Sequence, residues 1–251
     1  SNITVVGSIF YFSINVGTGL ELWKSDGTEA GTVLVESIPS PFSFAFSSLV
    51  SPTVVGSTLY FNVNDEDFLF FDFAEQLWKS DGTAAGTVLL KESTGTFFGS
   101  TGNLIAVDGT LYFGFSDAIN GAELWKSDGT VAGTVLVKDI IAGAGSSSPS
   151  NLTALGSTFY FRANDGVTGT ELWKSDGTEV GTVQVKDINV GADSGFPTNI
   201  KAVGSTLYFS ANDGVIGQEF WKSDGTTAGT ELVKDINPIT GASSSPFILS
   251  E

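Results

Sequence analysis

ELWKSDGTEVGTVQV, residues 171–185, carries the pattern that decides the fold, because four near-copies of it occur in the same 251 residues. Each copy contains one tryptophan, and successive tryptophans lie 55, 47, 48 and 48 residues apart. A fixed period of this length indicates a repeat architecture in which each unit is one supersecondary element. The other copies are ELWKSDGTEAGTVLV at 21–35, QLWKSDGTAAGTVLL at 76–90, ELWKSDGTVAGTVLV at 123–137 and EFWKSDGTTAGTELV at 219–233.

The clearest repeat unit predicts four short strands. Turn residues separate its apolar and aromatic runs, and the pair Gly156-Ser157 suits a two-residue hairpin turn. The string Asp-Gly-Thr inside the motif, followed by a further glycine, supplies positions that accept a positive φ in a short connection. We predict the four strands at Asn151–Leu155, Thr158–Ala163, Thr170–Ser175 and Thr182–Ile188.

A longer connector rich in Gly, Ser and Pro, such as residues 142–149, follows each unit. Three tight hairpins and one long return are typical of a propeller blade, whose outermost strand must lead back to the axis. We therefore predict an all-β, single-domain, five-bladed β-propeller with four antiparallel strands per blade and about 48 residues per repeat. The predicted blades span about 1–38, 50–93, 102–141, 150–189 and 198–237, and the tail 238–251 either begins a sixth repeat or closes the ring.

Composition excludes several classes of function. The chain carries 28 acidic and 11 basic residues, a formal charge of −17, which repels nucleic acid and anionic lipid. It contains no Cys and no His, so thiolate chemistry, disulfides and histidine-based catalysis are excluded. No apolar run approaches the roughly 18 residues of a membrane span, so no membrane insertion is expected. Nine of the eleven cations recur at fixed repeat positions, which leaves no basic patch.

The recurring string Glu-Leu-Trp-x-x-Asp-Gly-Thr resembles the ELWxxDGT repeat family of bacterial secreted and surface proteins. Four copies keep Leu-Trp-Lys-Ser-Asp-Gly-Thr, and the departures are Gln76 for the first residue and Phe220 for the leucine. The resemblance implies an exported bacterial protein with no chemistry attached to the repeat itself. In architecture, five units of this length are also similar to five-bladed propeller lectins of the tachylectin-2 type.

From these features we expect a non-enzymatic, extracellular or cell-surface module with a structural, adhesive or assembly role. The alternative is a carbohydrate-binding lectin with repeated sites between its blades. The expected partners are a second copy of the chain or other surface proteins, with glycans as the lectin alternative. A catalytic pair of carboxylates should be unique within the repeats, and no such pair stands out.

The five tryptophans are candidates for two roles. A side chain at the same mid-strand position in every repeat suits packing between blades, because one aromatic buries roughly 150–250 Å². The alternative is a set of platforms on which sugars stack. The residues are Trp23, Trp78, Trp125, Trp173 and Trp221.

Two acidic positions are candidates for turn formation or metal binding. The motif aspartate, as in Asp176, is expected to accept main-chain N–H groups across its turn. The loop before the motif, Asn164–Gly169 in the fourth repeat, offers the hard oxygen ligands that Ca²⁺ prefers. No cofactor is required by the sequence, and calcium is the one metal that it makes a candidate. The aspartates of that loop in three repeats are Asp117, Asp165 and Asp213.

The second repeat breaks the symmetry with an insertion of about five residues around Asp65–Phe73. One interpretation is an extended hairpin that packs on its own blade. The other is an exposed apolar contact for a partner or a second copy. The candidate contact residues are Phe68, Phe70, Phe71 and Phe73.

Overall fold

In the residues that the computed structural model of the chain describes, twenty strands form five antiparallel sheets of four strands each. The structure describes residues 3–42, 45–67, 72–95, 103–239 and 241–246. Within each sheet the strands are adjacent in chain order, as predicted for propeller blades. The strands are β1 Thr4–Val6, β2 Ile9–Asn15, β3 Gly19–Ser25, β4 Val33–Pro39, β5 Ala45–Val55, β6 Thr58–Asp67, β7 Asp72–Ser80, β8 Val88–Gly95, β9 Ile105–Val107, β10 Thr110–Asp117, β11 Gly121–Ser127, β12 Val135–Lys138, β13 Ser150–Leu155, β14 Thr158–Asn164, β15 Thr170–Ser175, β16 Val183–Lys186, β17 Thr198–Val203, β18 Thr206–Asn212, β19 Gln218–Ser223 and β20 Glu231–Lys234. Blades 1 to 5 are therefore β1–β4, β5–β8, β9–β12, β13–β16 and β17–β20.

The local chemistry of blade 4 explains its strand boundaries. Gly156 has a φ of 66° at the first hairpin, a value that glycine adopts without the steric cost of a Cβ. Aromatic and β-branched residues fill the strands, and Phe161 lies opposite Trp173 in the register of β14 and β15. β15 has the predicted bounds, whereas the fourth strand ends at Lys186, two residues before the predicted Ile188.

Every blade contains the same irregularity between its third and fourth strands. In blade 4 the register shifts between Leu172 and Trp173, which lie opposite Lys186 and Gln184. A bulge of this kind increases the local twist and shortens regular pairing. The same shift occurs at Leu22/Trp23, Leu77/Trp78, Leu124/Trp125 and Phe220/Trp221.

The hydrophobic core lies between the blades. At the interface of blades 4 and 5, blade 4 contributes Tyr160, Leu172 and Val185, and blade 5 contributes Leu207 and Phe209. Both faces of an internal blade are thus buried, so its strands do not alternate between apolar and polar residues. The first strands β5, β9, β13 and β17 of successive blades contact one another. Equivalent clusters fill the interfaces of blades 1 and 2, 2 and 3, and 3 and 4.

Blade 2 is longer than the others because the insertion extends its hairpin. β6 and β7 stay paired as far as Asp67 opposite Asp72, so part of the insertion is strand. Phe73 is half-buried and lies opposite Gly95 in β8. The other three candidate contact residues, Phe68, Phe70 and Phe71, lie outside the described residues. In the part of the chain that the structure describes, no helix is long and apolar enough to cross a membrane.

Candidate functional site

Four of the five motif tryptophans, all except Trp23, lie at interfaces between blades. Trp125, Trp173 and Trp221 are each no more than 7% exposed, and each packs in the cluster between its own blade and the preceding one. Trp23 and Trp78 are half-buried. Their indole Nε1 atoms donate to the side chains of Glu21 and Gln76 at 2.9 and 2.8 Å. A ligand would reach the flat face of a buried tryptophan only by parting two blades.

The motif aspartates organise the turn that follows them. Asp176 Oδ1 accepts hydrogen bonds from the main-chain N–H of Thr178 at 2.9 Å and from its hydroxyl at 2.6 Å. Those bonds favour the charged form and lower the pKa of Asp176. The Thr178 hydroxyl in turn accepts from Gly181 N at 3.0 Å. The same bonds recur at Asp26, Asp81, Asp128 and Asp224.

The first residue of the motif holds the connector to the next blade. The buried carboxylate of Glu171 accepts the main-chain N–H groups of Ile188, Asn189 and Gly195 at 2.9, 3.4 and 2.6 Å. Burial raises its pKa to about 7, although the hydrogen bonds oppose that shift. Glu123 and Glu219 bind the equivalent connectors of blades 3 and 5.

The three aspartates predicted as metal ligands each close their own loop. Asp165 Oδ1 accepts the main-chain N–H groups of Val167 and Thr168 at 2.8 and 2.7 Å. Asp117 and Asp213 accept equivalent N–H groups in blades 3 and 5. Among the described residues, no group of three or more acidic side chains comes together as a metal site would require.

A different site lies between blades 4 and 5 and is built around Arg162, the only arginine of the chain. Arg162 lies in β14 opposite Ser150, and its Nε donates to the Ser150 hydroxyl at 2.8 Å. No carboxylate of the described residues forms an ion pair with it. Burial lowers the pKa of the guanidinium, which is the direction expected where water is removed and no anion replaces it.

An open cavity of about 410 Å³ adjoins this guanidinium. Ser210 lines it from β18 and is 1% exposed, and its hydroxyl has no hydrogen-bond partner among the described residues. Phe196, which is 52% exposed, forms an apolar wall, and Gln218 donates to its carbonyl at 3.1 Å. A buried donor without a partner costs about 1–3 kcal/mol, so a ligand that accepts from Ser210 recovers that energy.

The site departs from the repeat at two positions. The residue after Tyr-Phe in the second strand is Ser13, Asn62, Gly114 or Ser210 in the other blades, and Arg162 only here. Phe196 has a φ of 45°, and its repeat equivalents Ser148 and Ser245 have 51° and 47°. The backbone of the site is therefore common to the repeats, and the cation and the aromatic wall are additions. Arg162 and Phe196 are visible in the sequence as residues that differ from their repeat equivalents. The predictions from the sequence concern mainly the repeated positions and include no site at these two.

Comparison with known proteins identifies the fold and no family. No family model and no curated protein matches the chain, so the resemblance to ELWxxDGT repeat proteins stays a prediction. Prolyl oligopeptidase B from Galerina marginata is 9% identical over 90% of this chain, with a TM-score of 0.52. An oligogalacturonate lyase in complex with manganese is 11% identical over 90% of it, with a TM-score of 0.51. A puromycin hydrolase is 12% identical over 93%, with a TM-score of 0.42.

This chain spans only part of each of those proteins, namely 32%, 61% and 45% of their lengths. The expected structural, adhesive or assembly role is wrong, because the matching propellers include that of a prolyl oligopeptidase, at a TM-score of 0.52. The lectin alternative gains no support from them either. The physical reason for the error is that the copied residues build blades, and the same blades serve many functions. An extracellular or cell-surface location stays a prediction.

Proposed function

We propose that this chain is a non-catalytic propeller domain that binds a peptide carboxylate in the Arg162 cavity. The observation that carries the proposal is the half-buried guanidinium, whose one hydrogen-bond partner among the described residues is the Ser150 hydroxyl, with an open cavity beside it. A guanidinium presents its donors as a planar fork, which matches the two oxygens of a carboxylate. Ser210 adds a third donor at the same cavity.

The surroundings favour a ligand with a single carboxylate. The chain carries a formal charge of −17, so a polyanion would be repelled over most of its surface. A peptide with one free carboxylate and a neutral or cationic remainder avoids that repulsion. The exposed ring of Phe196 offers it an apolar contact beside the charge. One protein with this fold is named an oligopeptidase, which makes peptides the first ligand class to test.

The test is calorimetric titration with short peptides that end in an apolar residue, each as the free acid and as the C-terminal amide. The free acid should bind and the amide should not. Arg162→Ser should weaken binding by about 10-fold or more, since hydrogen bonds to charged groups contribute about 1.5–3 kcal/mol. Phe196→Ser should weaken it by a smaller factor. Both substitutions introduce the residue that other repeats hold at that position, so the fold should tolerate them.

The matched control is Lys201→Thr. Lys201 is exposed on β17, and its equivalent in blade 4 is Thr153, so this variant removes one positive charge without touching the cavity. Its affinity should equal that of the wild-type chain. Equal affinities for acid and amide, or for wild type and Arg162→Ser, would refute the proposal.

A further inference from the structure

The four internal interfaces of the propeller are built from one set of residues. The preceding blade supplies a tyrosine, a leucine and an aliphatic residue of its fourth strand, and the following blade supplies two large apolar residues of its second strand. All of these side chains are at most 8% exposed. The preceding-blade sets are Tyr11/Leu22/Val35, Tyr60/Leu77/Leu90, Tyr112/Leu124/Val137 and Tyr160/Leu172/Val185, and the following-blade sets are Leu59/Phe61, Leu111/Phe113, Phe159/Phe161 and Leu207/Phe209.

Lysine side chains of the preceding blade add hydrogen bonds to main-chain carbonyl groups at three of these interfaces, those of blades 1 and 2, 3 and 4, and 4 and 5. Lys174 Nζ of blade 4 donates to the carbonyl of Gly225 in blade 5 at 2.9 Å, and Lys186 Nζ donates to that of Thr230 at 2.7 Å. These bonds tie one blade to the motif turn of the next. The equivalent pairs elsewhere are Lys24 with Gly82, Lys126 with Gly177 and Lys138 with Thr182.

Blade 5 carries the equivalent residues, with Phe220 in place of the leucine, on a face that no other blade covers in the part of the chain that the structure describes. Val233, the equivalent of Val185, is 44% exposed where Val185 is 3% exposed. Ile236 is 50% exposed, and its equivalent Ile188 is 4% exposed. Lys222 is the equivalent of Lys174, but its Nζ lies 3.0 Å from Oε1 of Glu231 in its own blade. The side chains of this ion pair are 41% and 58% exposed.

Blade 1 carries the matching following-blade set, also uncovered. Phe10 and Phe12 are half-buried, whereas their counterparts in the other four blades are at most 1% exposed. Ile14 is 43% exposed, and its equivalent Ala211 is fully buried. A Cβ on Gly27 would meet no atom within 4 Å, whereas one on its equivalent Gly225 would overlap the Tyr160 hydroxyl.

We infer that the uncovered face of blade 5 binds the uncovered face of blade 1 of a second copy of this chain. The two faces are the two halves of an interface that the molecule builds four times internally. The blade 5 face brings Lys222 and Lys234, and the blade 1 face brings the motif turn at Asp26 and Gly27 that such lysines bind inside the chain. Because the two faces differ, the association is head-to-tail, with one free face left at each end of a dimer.

The test is mass measurement in solution over a hundred-fold range of protein concentration. The wild-type mass should rise with concentration in whole multiples of the chain mass. Val233→Glu places a charge on the blade 5 face, and Ile14→Glu places one on the blade 1 face. Each substitution should prevent binding through that face, so each variant alone should stay monomeric. A mixture of the two should form a dimer that does not grow, because each supplies the face that the other lacks.

The matched control is Val183→Glu. Val183 is 38% exposed on β16, away from both end faces, and blade 5 already holds Glu231 at that position. This variant should associate as the wild type does. A wild-type chain that stays monomeric at every concentration would overturn the inference. This holds also if the reason is that blade 5 packs against blade 1 of the same chain. Association of either variant alone, or a mixture that stays monomeric, would overturn it as well. None of these outcomes bears on peptide binding at Arg162.

Discussion

The carboxylate of Glu171 accepts the main-chain N–H of Gly195 across 24 residues of sequence, at 2.6 Å. The third strand of blade 4 thereby fixes the connector that leads to blade 5. We expect Glu171→Ala to lower the free energy of unfolding by about 2–4 kcal/mol, because it leaves two buried N–H groups and one partly buried N–H group without their acceptor. Urea unfolding followed by tryptophan fluorescence measures this change.

The repeat provides a matched control for Glu171. Glu21 holds the same motif position in blade 1, is half-buried, and accepts the indole N–H of Trp23. Glu21→Ala should cost about 1 kcal/mol or less, as is usual for a side chain near the surface. Equal losses from the two variants would contradict a role of Glu171 in holding the connector.

The contacts of Glu171 show which features of blade 4 the sequence predicts and which it does not. Strand propensity and the flanking turn residues predict a strand at Thr170–Ser175, and β15 has these bounds in the structure. The fourth strand stops at Lys186 because the N–H of Ile188 binds Glu171 instead of a neighbouring strand. That contact joins residues 17 apart, so no local pattern contains it. The Arg162 cavity is similar, since Phe196 and Ser210 reach the guanidinium only once the connector and blade 5 are in place.

Two motif glycines allow the contact between blades to be measured separately from backbone strain. Gly177 and Gly27 have φ values of 85° and 92°, so an alanine at either position costs roughly 1–2 kcal/mol for its left-handed backbone. A Cβ on Gly177 would also overlap the hydroxyl of Tyr112 in blade 3, whereas the space around Gly27 is open. Gly177→Ala should therefore lower the free energy of unfolding by about 1–3 kcal/mol more than Gly27→Ala. The two variants are compared by urea unfolding at low protein concentration, where self-association does not contribute. Similar urea midpoints would contradict the packing of Tyr112 on this turn.

Stability should depend on pH through Glu75 in β7. One carboxylate oxygen of Glu75 is buried without a hydrogen bond from the described residues, and burial raises its pKa to about 8 from 4.5. Between those two values the folded chain keeps a proton that the unfolded chain has lost, so the free energy of unfolding falls as pH rises. The fall should be on the order of a few kcal/mol, at 1.36 kcal/mol per unit of pKa shift.

The substitution Glu75→Gln should flatten this pH dependence, because glutamine cannot ionise. Glu171, whose pKa burial raises to about 7, should supply part of the slope that is left, together with Glu123 and Asp65, whose pKa values burial also raises. The control is Glu29→Gln on the exposed motif turn of blade 1, which should keep the wild-type slope. Unfolding curves at several pH values between 5 and 8 give the slopes, and an unchanged slope in Glu75→Gln would show that Glu75 does not hold the proton.

Calcium should have no effect on the thermal stability of the chain. The carboxylate of Asp165 already accepts two main-chain N–H groups, and both of its oxygens lie 3.1 Å from the Thr168 hydroxyl. A calcium ion needs 6–8 oxygen ligands and would have to displace these donors, which hold the loop between β14 and β15. We expect the same melting temperature in excess calcium and in EGTA, for the wild type and for Asp165→Asn. A rise of several degrees in calcium that is lost in Asp165→Asn would identify the loop as a metal site, because binding to the folded state alone raises its stability.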